Sequence, residues 1–169
     1  MLIDSTNGLV QLSMFQYYMK KRAYTNSLYS LEKVLTSVEV DQSLKREILF
    51  QITYDKSIPF SVDQVEGLLD KYLKAFPTDH EILVLLSEIK FIQTKDEEAC
   101  ILLGKALEIN PKHKGALEYQ GEMYLTLNQI GKAEENLKKL DKICFLGCSE
   151  FDKLKKSIMD KKSGKKSSY

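Results

Sequence analysis

Two prolines spaced 34 residues apart, Pro77 and Pro111, each close an amphipathic run, LLDKYLKAFP and LLGKALEINP. A fixed period of this size constrains a chain more than any single helix does, because each unit can bury its apolar face only against its neighbours. Cutting at the period gives units 46–79, 80–113 and 114–147, preceded by a looser unit 8–41, and the next step of 34 falls on Phe145. In unit 80–113 the residues Leu83, Leu86, Ser87, Ala99, Leu103, Ala106 and Pro111 have the spacing of two antiparallel helices. Unit 114–147 repeats it with Leu117, Gly121, Tyr124, Ala133, Leu137 and Leu140.

This pattern resembles the tetratricopeptide repeat (TPR) family, which places a small residue at position 8, Ala at 20, an apolar residue at 24 and Pro at 32. Small residues at position 8 (Ser87, Gly121) and Ala at position 20 (Ala99, Ala133) let the two helices of a hairpin approach closely where their ridges cross. Unit 46–79 keeps Thr53, Leu69 and Pro77 but has Val65 at position 20. Unit 8–41 has Phe15 at position 8 and Glu39 in place of the proline, with Ser27 and Leu31 where the pattern wants them. Such departures at an end suit a capping repeat, whose outer face meets water. The resemblance implies an all-α, TPR-like alpha-alpha superhelix of three to four helical hairpins plus a C-terminal helix, in a single domain over residues 1–162.

Local signals agree with the cut. Ser61–Gln64, Thr78–Glu81 and Thr94–Glu97 each read as a capping box at a helix start. Residues 55–60 must form a loop, because Pro59 removes a donor and biases Ile58 away from helix, and the helix before that loop is expected to be short. Phe151, Leu154 and Ile158 have helical spacing, which predicts a solvating last helix over 149–160. The polar stretch 161–169 is expected to be a disordered Lys/Ser-rich tail. The apolar residues Leu9, Val10, Leu12, Met14 and Phe15 must be buried either in a capping hairpin or in the groove of the stack itself.

The chain of 169 residues carries 25 Lys+Arg against 24 Asp+Glu. Residues 152–169 hold seven Lys and two Asp, and subtracting that +5 from the chain's +1 leaves −4 on the rest. A near-neutral chain with a mildly acidic body argues against nucleic acid as the partner, since phosphate binding needs a strongly basic surface. The N-terminal MLIDSTNGLV lacks the features of a signal peptide, so a cytoplasmic location is expected, or a periplasmic one if the true N-terminus lies upstream of Met1. No glycine-rich phosphate loop or nucleophile elbow is present, so an enzymatic role and a cofactor are not expected. His80 and His113 occupy nearly equivalent places in successive units, which separates them by one helix-pair step, on the order of 10 Å. That distance predicts solvated turn residues and no metal site.

Cys100 falls inside a predicted helix as a small core residue, while Cys144 and Cys148 flank the turn CFLGC. Residues four apart on an unbroken helix hold their Cβ atoms too far apart for a disulfide, but Gly147 can adopt the left-handed conformation that folds Cys148 back. Three readings stay open: a capped turn with Cys148 as its apolar contact, a short-loop disulfide, and a thiolate pair for a soft metal. The segment 137–158 is also similar to the end of small proteobacterial TPR proteins with a Cys-x-x-Gly-Cys turn after the last repeat, which implies export.

In the TPR family, positions 2, 5, 9, 12 and 13 line the concave face, and the resemblance places Glu81, Val84, Glu88, Phe91 and Ile92 there from one unit. From the next unit it places Glu118, Glu122 and Leu125 there, with Tyr119 beside them. The family's clamp for acidic tails needs Lys and Asn at positions that hold Val84 and Glu88, or Glu118 and Glu122, so a terminal carboxylate would meet like charge. The resemblance implies a non-enzymatic scaffold or adaptor whose groove takes a peptide with apolar anchors and basic flanks. Two other readings are a cargo chaperone similar to the class II chaperones of type III secretion, and an exported thiol or metal-handling protein using Cys144 and Cys148.

Overall fold

A computed structural model describes residues 7–145 and 147–164. Among them run nine helices and no strand: α1 (Gly8–Lys20), α2 (Tyr24–Thr36), α3 (Gln42–Tyr54), α4 (Val62–Ala75), α5 (His80–Ile92), α6 (Asp96–Ile109), α7 (Lys114–Thr126), α8 (Ile130–Ile143) and α9 (Ser149–Lys162). The chain divides into two compact units, Met1–Pro77 and Thr78–Tyr169, at the proline that marks the repeat. Among the described residues, no helix is long and apolar enough to cross a membrane.

In the first unit α1 and α2 pack as a hairpin, and α4 lies against both α2 and α3. From Gly8 onward the N-terminal apolar residues are therefore part of an ordinary hairpin, with Phe15 buried at the position where the pattern wants a small residue. The small side chains come from α2, whose Ser27 and Ser30 are both buried. Helix α3 starts at Gln42, four residues before the repeat cut, because Asp41 accepts from the Ser43 N–H and caps it. At 13 residues it is as long as α1, so the Pro59 loop follows a full helix and does not shorten it. Ser61 and Gln64 form the expected reciprocal capping box at the start of α4. Lys45 is fully buried on α3. Its ammonium donates to the Ser37 carbonyl and lies 4.7 Å from the centre of the Phe76 ring. Burial pulls its pKa down against the opposing pull of Asp41 and Glu39.

The second unit consists of the hairpins α5/α6 and α7/α8, with α9 packed on α7 and α8. Two helix starts differ from the capping boxes read in the sequence. Asp79, not Thr78, caps α5 by accepting from the Ile82 N–H at 3.4 Å. Thr94 caps nothing: it sits at φ 60°, in the left-handed conformation that ends α5, and α6 starts after Lys95 without a side-chain cap. Asp96, Glu97 and Glu98 in the first turn of α6 instead complement the positive end of the helix dipole. Asn128, 34 residues after Thr94, takes φ 58° at the same point of the next hairpin. In both turns the following amide reaches back to close the helix, Lys95 N–H to the Lys90 carbonyl at 2.9 Å and Gln129 N–H to the Tyr124 carbonyl at 2.6 Å.

The repeat pattern predicts that Gly121 serves the close approach of α7 to α8, but its bare Cα faces Leu154 of α9: a Cβ there would lie 2.6 Å from both leucine methyls. The small residue thus admits the final helix. Around it Leu117, Leu125, Ala133, Leu140, Leu154 and Ile158 form a buried cluster, to which each fully buried leucine contributes about 2 kcal/mol. A buried polar relay crosses the same unit. Asn136 of α8 donates to the Leu117 carbonyl at 3.3 Å and to Gln120 Oε1 at 3.0 Å, and Gln120 donates to the Cys100 carbonyl at 3.3 Å. Helix α9 runs two residues beyond its expected end, because Lys162 pairs with Glu134 at 2.5 Å and so extends the ordered chain into the predicted tail. The remainder of that tail, residues 165–169, lies outside the described residues.

Candidate functional site

Three helices of the second unit enclose an open cavity of about 290 Å³. Helix α5 supplies Ser87, Glu88, Phe91 and Ile92, α6 supplies Ala99 and Leu103, and α7 supplies Tyr119, Glu122 and Met123. On each helix steps of three or four link these residues (Ser87 to Phe91, Glu88 to Ile92, Ala99 to Leu103, Tyr119 to Glu122 and Met123), which places them on one side of it. Leu103, Ala99 and Met123 are buried and form an apolar floor, whereas Phe91 and Ile92 are 42% and 63% exposed. Glu88 and Glu122 add negative charge to this lining. Ser157 of α9 donates to Glu122 Oε1 at 3.4 Å, which ties that carboxylate to the last helix. The local field is recorded by Tyr119: burial first, then the carboxylates of Glu88, Glu118 and Glu122, push its hydroxyl pKa up.

Of the nine residues that the resemblance places at the groove, Glu88, Phe91, Ile92, Tyr119 and Glu122 come together here. Val84 and Leu125 do not line it. Each is only 6% exposed, and Leu125 belongs to the core cluster that α9 completes. Glu118 is 4% exposed and pairs with Lys153 of α9 at 3.3 Å. The last helix has taken over that part of α7, and burial pushes the Glu118 carboxyl pKa up despite the lysine. Glu81 stands at the start of α5, away from the lining. The sequence pattern predicts only packing roles for Ser87, Ala99 and Leu103, because a residue at a small or apolar repeat position carries the same signal whether it faces a helix or a cavity. Met123 carries no positional signal at all.

The two histidines overturn the separation expected from the helix-pair step. Their rings meet edge to face with centroids 5.3 Å apart. An antiparallel hairpin returns the chain to the end where it began, so His113, the N-cap of α7, reaches the level of His80 at the first position of α5. His113 Nδ1 accepts from the Ala116 N–H at 3.0 Å and its Nε2 faces Glu81 Oε2 at 3.3 Å. His80 Nδ1 lies 3.6 Å from Glu81 Oε1, and its Nε2 is 3.5 Å from the Asn110 side-chain amide.

Cys144 and Cys148 are joined in a disulfide with Cα atoms 5.6 Å apart, and Gly147 between them has φ 84°. Cys148 is also the residue that opens α9. Cys100 is a free, partly buried thiol and not the core residue expected, because its position on α6 borders a surface depression shared with Tyr124 and Lys132. Burial raises its pKa, and that of the neighbouring Tyr124 hydroxyl is pushed up to about 12 by burial and by Cys100.

No family model and no curated protein matches the sequence. Solved structures do match. A tetratricopeptide repeat protein from Parabacteroides merdae is similar over 93% of this chain and 60% of its own, with a TM-score of 0.70 at 14% identity. The chain has the tetratricopeptide-repeat fold. A crystal structure of MamA is similar to this chain over 99% of both, with a TM-score of 0.60 at 17% identity. PilW, a widely conserved type IV pilus biogenesis factor, is similar over 95% of this chain and 72% of its own, with a TM-score of 0.62 at 15% identity. At these identities the likeness is one of fold.

Proposed function

We propose that this TPR protein is a non-enzymatic interaction scaffold that holds a partner peptide in the second unit's cavity, with an apolar anchor on Leu103 and Met123 and basic flanks toward Glu88 and Glu122. The observation that carries this reading is the juxtaposition of exposed Phe91 and Ile92 with two carboxylates over a buried apolar floor. Exposed apolar surface edged by charge is the arrangement that interaction sites use. Both walls are helices, so little ordering entropy is lost on this side of the complex. The test is an affinity capture with wild-type protein beside a Glu88→Lys, Glu122→Lys double variant, with retained proteins identified by mass spectrometry. A specific partner lost on charge reversal supports the reading. Identical retention by two folded proteins refutes it.

The Cys144–Cys148 bond supports a second reading, in which the protein works in an oxidising compartment where such a bond persists. Thiol titration of protein taken from its natural source tests it: one reactive thiol, Cys100, is expected, and three refute it.

A further inference from the structure

We propose that His80, Glu81 and His113 form a binding site for one divalent transition cation of the zinc class, joining the first turn of α5 to the cap of α7. One ligand atom from each residue lies within 4.8 Å of those from the other two. Two imidazoles and one carboxylate suit zinc, nickel or copper, whereas magnesium and calcium prefer oxygen alone. Three protein ligands leave a coordination position for water or a partner's side chain.

An independent observation points to the same place. His80 Nδ1 is buried and has no hydrogen-bond partner, although it faces Glu81 Oε1, which at 3.6 Å is too far to accept. An unsatisfied buried polar atom carries a desolvation penalty, and a coordinated cation removes it. Glu81, with a side chain 40% exposed, gives the ion a way in, while His113, at 15%, holds it partly out of water.

Proton positions define what binding does. The Ala116 amide donates to His113 Nδ1, so in the metal-free protein the His113 proton sits on Nε2 and points at Glu81. A cation that takes the Nε2 lone pair requires the other tautomer, and the proton then moves to Nδ1. Metal binding therefore exchanges the Ala116 hydrogen bond for a metal bond and leaves that amide without its acceptor. On the other ring, Nδ1 coordination puts the proton on Nε2, facing the Asn110 amide 3.5 Å away. Its oxygen, which now accepts from Lys112 N–H, can accept from the ring after an amide flip. Outer partners of this kind orient metal-binding histidines.

The site is independent of the peptide reading and is tested on the full chain with zinc chloride alone. Calorimetry is expected to show one saturable equivalent of zinc and no response to magnesium. Thermal unfolding should shift upward by several degrees under saturating zinc, and the Ala116 amide resonance should move. Glu81→Gln and His113→Asn should each weaken zinc binding at least about tenfold. Asparagine is itself a preferred N-cap, so His113→Asn keeps α7 capped, and an unchanged circular dichroism spectrum verifies folding. A Cys100→Ser variant should bind zinc as wild type does. The proposal is overturned if wild type shows no saturable zinc binding, if folded Glu81→Gln and His113→Asn bind as wild type does, or if Cys100→Ser abolishes binding.

Discussion

Replacing Lys153 by alanine strands the carboxylate of Glu118. Glu118 is 4% exposed, while the Lys153 side chain 3.3 Å away is 61% exposed, so the pair has one end in the interior and one in water. Burial pushes the Glu118 carboxyl pKa above its ordinary 4.5, Lys153 pulls it back, and Glu122 and Glu150 add repulsion. Without the lysine the group either stays charged and unpaired or takes a proton, and the second route sets a ceiling. Protonating such a carboxyl at pH 7 costs about 1.36 kcal/mol for each of roughly 2.5 pH units, or about 3.4 kcal/mol. The lysine's exposure screens the pair, so about 1–2 kcal/mol is the expected loss at pH 7. The sign follows from linkage. A folded-state pKa above the unfolded value means that the folded protein binds the proton more tightly, so this group's contribution falls as pH rises from below 4.5 through the folded pKa. Lys153→Ala steepens that fall and costs little near pH 4. Urea unfolding of wild type, Lys153→Ala, Glu118→Gln and the double variant at both pH values measures it. Equal losses at pH 4 and 7, or an undiminished loss in the Glu118→Gln background, would refute the electrostatic account.

Gly121→Ala forces a Cβ to within 2.6 Å of the fully buried Leu154 and should destabilise by about 1–3 kcal/mol, chiefly by displacing α9; tryptic cleavage of α9 should accelerate with it. Thr94→Gly relieves a β-branched residue held at φ 60° and should stabilise by about 1 kcal/mol in chemical unfolding, with no change in helix content. Reducing the Cys144–Cys148 bond opens a loop of only a few residues, so the stability loss should be at most about 2 kcal/mol, read as a shift in the urea midpoint with and without reductant.

The hairpins of the second unit were legible because their signal is redundant. Ala99, Leu103, Ala133 and Leu140 recur at 34-residue intervals or at helical spacing, and all are buried. Helix ends were less legible, since one residue type serves two purposes. Thr94 followed three residues later by Glu97 has the composition of a capping box, yet the threonine ends the preceding helix and α6 starts uncapped. The groove was half legible. Glu88 and Glu122 stand at the same repeat position and both reach the cavity, whereas Val84 and Glu118, also equivalent to each other, are both buried. Repeat position tells which helix face a residue occupies. It does not tell how far the next element covers that face, and α9 covers α7 as far as Glu118.

The histidines expose a further limit of reading by period. A repeat step separates helix axes, and applied to side chains it placed His80 and His113 about 10 Å apart. Both residues sit at the same end of successive hairpins, and their side chains lean toward one carboxylate between them, closing the gap to ring contact at 5.3 Å. The residues that differ from the consensus at such turns are therefore where a repeat protein can carry a feature its pattern does not encode. His113 caps a helix as Asp79 does one repeat earlier, but an imidazole retains a second nitrogen after capping, and that nitrogen is what meets Glu81. A substitution that preserves the cap and removes the second nitrogen, His113→Asn, separates the structural role of this residue from any binding role within one measurement.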